Sequence, residues 1–266
     1  MKNVYTFIKN SIKHYTVIQW RKIDEEYKTE DLFNLKAASV FITAAAVLII
    51  SEYVCRAEIY KLSRPLYYYI QRLEYPQLWM ELYWALSTAL NYFLLPALVI
   101  KFIFKERIRD YGFKIKNKPG IYLLYLIMFI LVFPFVYTVS FSPAFLNKYP
   151  FYKDAARTFG QLIMWEAGYG TQFFMLEFFF RGFLLFSMAR YIGAYAIFVM
   201  VIPYSMIHFT KPVAETIGAV ITGITLGTLA LRTHSLYGGI IIHVAVAWSM
   251  DLLSLYNKGQ LQKLFR

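Results

Sequence analysis

Four ionisable side chains lie inside apolar runs in the C-terminal half of the chain. Glu177, Arg181 and His208 belong to the stretch QFFMLEFFFRGFLLFSMARYIGAYAIFVMVIPYSMIHF, which covers residues 172–209. His243 lies in the later run GGIIIHVAVAWSMD. An acid or a base at bilayer depth costs roughly 2.5–3.5 kcal/mol on insertion scales, so a chain that keeps such groups either pairs them or uses them.

These residue types are compatible with hydrolytic chemistry as well as with a structural role. Glu177 and Arg181 are four residues apart and share a helix face, where they can form a buried ion pair. One Glu with His208 and His243 can hold a metal such as zinc and leave a position open for water. The same three groups can act without metal, as a glutamate base with imidazoles that orient water and stabilise an oxyanion. Taken singly, each histidine is more often a hydrogen-bonded core residue than a ligand.

The composition shows what must position these side chains. Of the 266 residues, 59% are hydrophobic and only 17% are charged, with a mean hydropathy of +0.45. Soluble domains are about 45–50% apolar and about 25% charged. The chain is therefore predicted to be an all-α, polytopic transmembrane helix bundle in the cell membrane.

The apolar runs predict about seven spans, each near the roughly 20 residues that a bilayer requires. Residues 1–35 are predicted to form a polar and amphipathic interfacial segment, and residues 36–256 one transmembrane domain. The predicted spans cover residues 36–54, 78–100, 121–140, 172–188, 194–209, 216–231 and 236–253.

The charges indicate orientation and partners. Residues 101–118 contain seven basic residues against Glu106 and Asp110, which places this segment and the N-terminus in the cytoplasm. An odd number of spans then puts the C-terminus outside. The net charge of +12 is attributed to topology and to contact with membrane lipid, and no nucleic acid is expected. Cys55 is the single cysteine, which excludes an internal disulfide.

Three short motifs, each in its own apolar run, carry a family resemblance. Glu177-Phe-Phe-Phe-Arg181-Gly182 is followed by Tyr204-Ser-Met-Ile-His208 and then by His243. This ordered set resembles the CPBP family of CAAX prenyl endoproteases and bacteriocin-processing or immunity homologues, also called Abi. The family pattern is EExxxR, aromatic-xxxH and HxxxN or HxxxD on separate transmembrane helices, and the resemblance covers about residues 160–256.

The resemblance implies an intramembrane endopeptidase acting on a peptide or protein substrate near the membrane surface. In that reading Glu177 is the general base or a ligand, and Arg181 positions it. His208 orients water or binds metal, and His243 stabilises the oxyanion or binds metal, with zinc as the metal if one is used.

The chain departs from the family pattern at two positions. Leu176 occupies the place of the first Glu, which the family uses to activate water, and Ala247 occupies the place of the Asn or Asp. The alternative hypothesis is therefore a non-catalytic protein of the same fold that binds a peptide or lipid partner. Asp251 does not replace Ala247, because it lies about 12 Å along the helix axis from His243, and it is expected to pair or to lie at the membrane interface.

Overall fold

A computed structural model describes residues 18–27, 35–56, 61, 63–114 and 119–265. As predicted, the fold is all-α, and an isolated β-bridge between Phe113 and Ser235 is the extended pairing within these ranges. The α-helices, numbered in chain order, are α1 (Gln19–Tyr27), α2 (Leu35–Ile50), α3 (Arg64–Ile70), α4 (Pro76–Leu98), α5 (Pro119–Val139), α6 (Pro143–Lys148), α7 (Phe159–Glu177), α8 (Phe186–Ile192), α9 (Tyr195–Met206), α10 (Val213–Thr233) and α11 (Tyr237–Asn257).

Wider and tighter helical turns extend several of these helices. π-Helical segments prolong α2 and α4 and join α7 to α8, at Ser51–Cys55, Val99–Phe104 and Phe178–Leu185. Short 3₁₀ turns lie at Ile108–Asp110 and Leu261–Phe265. Single π turns in long helices are often found at functional sites, and the one at Phe178–Leu185 contains Arg181.

Six helices of the described ranges are long and apolar enough to cross a membrane, and α9 is a seventh, shorter apolar helix. This is consistent with the prediction of about seven spans. The six long ones are Leu35–Cys55, Pro76–Phe104, Gly120–Val139, Phe159–Ile192, Val213–Thr233 and Tyr237–Asn257.

Two predicted boundaries differ from the structure. The fourth span begins at Phe159 rather than Gln172, because the side chain of Thr158 caps the helix by accepting a hydrogen bond from the Gln161 amide at 3.2 Å. The fifth span is only the 12-residue helix α9, which is about 18 Å long and too short for a hydrocarbon core of about 30 Å. His208 lies in the turn that follows α9.

The helix from Phe159 to Ile192 is the centre of the bundle. In its most apolar stretch 89% of residues are buried, whereas the corresponding share is 6% for the span Gly120–Val139. A Cβ added at Gly168 would lie 2.4 Å from the Leu82 side chain, so α7 and α4 pack closely.

Gly223 and Gly227 permit a close contact between α9 and α10. A Cβ on Gly223 would lie 2.9 Å from Val201 and 3.1 Å from Tyr204, and one on Gly227 would lie 3.1 Å from Met200. These contacts hold α9 against α10. They also fix Tyr204, which precedes His208 by one turn.

The N-terminal segment is described only from residue 18. Its predicted amphipathic helix around residues 4–15 lies outside the described residues. Within α1, Glu26 lies 3.8 Å from Arg232 and 3.6 Å from His234, at the C-terminal end of α10. The division into an interfacial segment of residues 1–35 and a membrane domain of residues 36–256 stays a prediction.

Candidate functional site

Glu177 and Arg181 form a buried ion pair at the junction of α7 and the following π-helical segment. Arg181 Nη1 donates to Glu177 Oε1 at 3.0 Å, and the two side chains are 0% and 1% exposed respectively. The guanidinium also lies 4.0 Å from the ring centroid of Tyr204, which is a cation–π contact. The pair therefore neutralises two charges that would otherwise be very costly at this depth.

His243 joins the same pair from α11. Its Nδ1 lies 2.8 Å from Glu177 Oε1, and its ring packs 4.6 Å from the Phe173 ring. One turn earlier, a Cβ added at Gly239 would lie only 3.0 Å from Glu177 Oε2. The absence of a side chain at Gly239 lets the carboxylate lie directly against α11.

His208 is close to this group but is not bonded to it. Its Nδ1 lies 2.8 Å from the Tyr204 carbonyl oxygen, and since a carbonyl only accepts, Nδ1 carries the proton. The Tyr204 ring lies 4.9 Å from the His208 ring and 6.4 Å from the His243 ring. The structure thus brings together Glu177, Arg181 and His243 directly, and His208 only through Tyr204.

This arrangement does not fit the predicted His₂Glu metal site. Across the described ranges, no three His, Cys, Asp or Glu side chains are grouped closely enough to hold one metal ion. Glu177 Oε1 already accepts from Arg181 and contacts His243 Nδ1, and Tyr204 separates His208 from both. A tetrahedral zinc site needs these donors to converge on one point.

A cavity of about 300 Å³ lies beside this cluster. It is at the lower end of the roughly 300–1,000 Å³ typical of ligand sites. Its walls are formed by the end of the first span, the first half of the second span, the α6–α7 connection with α7, and the turn after α9. The lining residues are Leu48, Ser51, Glu52, Arg56, Trp84, Thr88, Tyr92, Phe151, Tyr169, Gln172, Phe173, Leu176, Met206, Ile207, His208, Thr210 and Lys211.

Only some of the predicted site residues line this cavity. His208 and Leu176 line the cavity, but Glu177 and His243 are not part of its lining in the described structure. Leu176 therefore presents an apolar side chain where its sequence neighbour Glu177 turns away to Arg181 and His243. The other departure, Ala247, is buried at 5% exposure.

Sequence reasoning did not identify Gln172, and it predicted only a general role for Asp251. Gln172 lines the cavity one turn before Leu176, and its amide inside an apolar run was the available signal. Asp251 was expected to pair or to lie at the interface. It is fully buried, and its Oδ2 accepts a hydrogen bond from Trp165 Nε1 at 2.7 Å.

Comparison with known proteins agrees with the motif analysis. Residues 158–249 match the family model described as type II CAAX prenyl endopeptidase Rce1-like. The match confirms the CPBP family for this segment. It begins at the cap of α7 and ends within α11, so it contains Glu177, Arg181, His208 and His243. No curated protein and no solved structure matches the chain.

The family and the apolar helices together establish the coarse character of the protein. The match supports a CAAX-type intramembrane protease fold for residues 158–249, and the six long apolar helices of the described ranges indicate a multi-pass membrane protein. Within that fold the cavity carries one of the four predicted site residues, His208, on its lining.

Proposed function

We propose that this chain is a member of the CAAX-protease fold that binds a partner segment in its membrane cavity without cleaving it. The proposal rests on the different environments of two adjacent residues. Leu176 lines the cavity, while the carboxylate of Glu177 is fully buried against Arg181 and His243.

Hydrolysis of a peptide bond requires a base within hydrogen-bond reach of the attacking water, at about 2.6–3.2 Å or through one further water. Glu52 is the carboxylate on the described lining, and it lies on the rim, where its side chain is 59% exposed and pairs with Arg56 at 3.3 Å. An exposed, paired carboxylate of this kind is not held against the inner wall where His208 lies. The cavity therefore supports binding better than hydrolysis.

The endopeptidase remains the second candidate, favoured by the family match and by the buried contact between Glu177 and His243. In that function Glu177 is the general base and Arg181 positions it. His208 orients water, and His243 stabilises the oxyanion. Glu177 would have to leave both of its partners and turn toward the cavity to act in this way.

The deciding experiment uses the protein purified in detergent. Bound zinc and cleavage of a peptide library are measured for the parent, Glu177→Ala, His243→Ala and Leu176→Glu. We expect neither cleavage nor stoichiometric zinc in the parent. Cleavage by the parent that is lost in folded Glu177→Ala and His243→Ala would overturn the binding proposal and establish a peptidase.

Leu176→Glu is the informative gain-of-function variant, because it places a carboxylate on the cavity wall. Leu176→Gln is its matched control, with similar size and no negative charge. Cleavage by Leu176→Glu alone would identify the missing base as the reason that the parent is inactive.

A further inference from the structure

Contacts between separate parts of the chain bring basic side chains together at the rim of the cavity. Arg56, the first residue after the first span, donates to Thr210 at 3.2 Å, in the turn after α9. The next residue, Lys211, donates to Glu215, in the first turn of α10, at 2.7 Å. The end of the first span therefore meets the start of α10 at this rim.

The end of α6 adds further positive charge at the same place. Tyr149, directly after α6, donates its hydroxyl to the second oxygen of Glu215 at 2.6 Å. Lys153 donates to the carbonyl oxygens of Asn147 and Lys148 at 2.7 and 2.9 Å. Lys148, the last residue of α6, thus has one ammonium group bound to its own carbonyl oxygen and a sequence neighbour bound to Glu215. We call the four basic residues the rim cluster: Arg56, Lys148, Lys153 and Lys211.

The carboxylates beside the rim cluster do not offset its charge. Glu52 pairs with Arg56 at 3.3 Å, and both oxygens of Glu215 are already in use. Lys148 forms no ion pair with a carboxylate of the described ranges, and its Nζ instead lies 5.3 Å from the centroid of the Phe151 ring. The cluster therefore has a surplus of positive charge, and Lys148 is the residue at which that surplus is left without a carboxylate.

The electrostatic environment of Lys148 agrees with this count. Burial lowers the pKa of its ammonium group, the positive charges of Arg56, Lys211 and Lys153 lower it further, and Glu215 raises it. Like charges nearby disfavour the charged form of a group, and an anion beside it favours that form. A bound anion at this place would thus stabilise Lys148 and offset the repulsion within the rim cluster.

The surroundings of the rim cluster indicate that the anion belongs to a lipid. Arg56 directly follows one candidate span, and Val213 begins another, so the cluster lies where spans end. Tyr53 is 74% exposed, Phe209 67% and Val213 73%. Basic residues with exposed apolar neighbours at the ends of spans are typical of the depth at which lipid headgroups meet acyl chains. A soluble anion would gain nothing from these apolar neighbours.

We propose that the rim cluster binds the phosphate group of an anionic phospholipid, with Arg56 and Lys148 as the main contacts. The acyl chains of this lipid lie against the exposed apolar side chains beside the cluster, those of Tyr53, Phe209 and Val213. This site is separate from the proposed function, because it depends neither on what the cavity binds nor on cleavage.

The test is the binding of single lipids to the full-length protein in a neutral detergent, measured by native mass spectrometry. Dioleoylphosphatidylglycerol is compared with dioleoylphosphatidylcholine, whose headgroup carries the same phosphate and an added positive charge. We expect the parent to bind phosphatidylglycerol more tightly. Lys148→Gln and Arg56→Gln should each raise its Kd by about fivefold, the effect of one basic residue near an anionic surface. Equal Kd values of the parent for the two lipids would overturn the proposal.

Lys101→Gln is the matched control. The Nζ of Lys101 lies 5.4 Å from the centroid of a Phe ring, as that of Lys148 lies 5.3 Å from one. Lys101 belongs to the opposite end of the bundle, since Lys36, at the start of the first span, donates to the Phe104 carbonyl at the end of the second, whereas Arg56 follows the end of the first. This variant should leave the Kd for phosphatidylglycerol unchanged. A loss equal to that of Lys148→Gln would refute the rim cluster as the site.

Thermal unfolding separates a lipid contact from a structural role of Lys148. In phosphatidylcholine micelles, Lys148→Gln should have the Tm of the parent or a higher one, because repulsion between like charges is removed. Added phosphatidylglycerol should raise the Tm of the parent and of Lys148→Arg by more than that of Lys148→Gln. A Tm of Lys148→Gln that is lower than that of the parent by the same amount in both lipids would identify a structural lysine and contradict the assignment.

Competition distinguishes a lipid from a soluble phosphate ester. sn-Glycerol 3-phosphate, the soluble counterpart of the headgroup, should neither displace phosphatidylglycerol nor raise the Tm of the parent. Displacement that is weakened by Lys148→Gln and Arg56→Gln would assign the site to a soluble phosphate ester and refute the lipid. These experiments contain no peptide, so the proposed function can fail while this site stands, and the reverse.

Discussion

The buried ion pair between Glu177 and Arg181 gives the sharpest test of whether this cluster is structural. We consider Glu177→Leu, Arg181→Met and the double variant. Removing one member of a buried pair leaves the other charge uncompensated, which typically costs about 3–5 kcal/mol. Both side chains are essentially inaccessible, at 1% and 0% exposure, so solvent cannot replace the lost partner.

The double variant should be more stable than either single variant. Replacing a whole buried pair with apolar side chains is often neutral or stabilising, because both desolvation penalties disappear. His243 also loses its acceptor in any variant without Glu177, at an expected cost of about 1–3 kcal/mol. The coupling energy of the cycle should therefore be large and should come mainly from the two charges.

The assay is reversible unfolding of the purified protein in mixed micelles, followed by intrinsic tryptophan fluorescence. Asp110→Asn is the control, since Asp110 also pairs with a residue four positions on, Lys114, at 2.6 Å. The side chains of that pair are 42% and 47% exposed, and such pairs contribute at most about 1 kcal/mol.

Two results would refute the structural reading. One is additivity, in which the double variant loses as much stability as the sum of the single variants. The other is a loss of less than about 1 kcal/mol in Glu177→Leu, since a side chain retained for chemistry alone can be removed without unfolding the bundle.

Two further predictions concern the neighbourhood of Tyr111. Gly182→Ala should destabilise the fold by about 1–3 kcal/mol in thermal unfolding, because its Cβ would lie 2.7 Å from the Tyr111 carbonyl oxygen. The control Gly218→Ala should be neutral or slightly stabilising, because nothing lies within 4 Å of its Cβ. Burial raises the pKa of the Glu106 carboxyl, but hydrogen bonds from Arg190 and Tyr111 lower it by more, so the pKa lies below its usual value. The stability from Glu106 is therefore present above about pH 4.3 and lost as the pH falls through the native pKa; a pH series of unfolding curves should be flatter for Glu106→Gln.

The sequence predicted the membrane class because composition alone distinguishes it from soluble domains. It also predicted the helix face shared by Glu177 and Arg181, since a spacing of four residues determines that face wherever a helix forms. That His243 contacts Glu177 could only be expected from the family pattern, because nothing in the local sequence fixes how α11 packs on α7. The catalytic or metal-binding roles of these residues stay predictions.

Other features were not accessible to sequence reasoning. The run around Gln172 is apolar on all sides, so periodicity does not show which face is inward. α9 ends at Met206, although the apolar run itself continues to Phe209, so the apolar pattern does not show where the helix ends. Without that short helix, the position of His208 on the cavity wall could not be inferred.

The orientation of one helix decides between the two functions. Leu176 lines the cavity, whereas Glu177, about 100° further round the helix, directs its carboxylate to Arg181 and His243. Turning α7 to bring Glu177 to the cavity would break its bonds to Arg181 and His243 and move Leu176 off the wall. The arrangement that neutralises Glu177 is thus the same one that removes it from the cavity. A peptidase mechanism requires a second, less well paired conformation, whereas binding requires only the conformation observed.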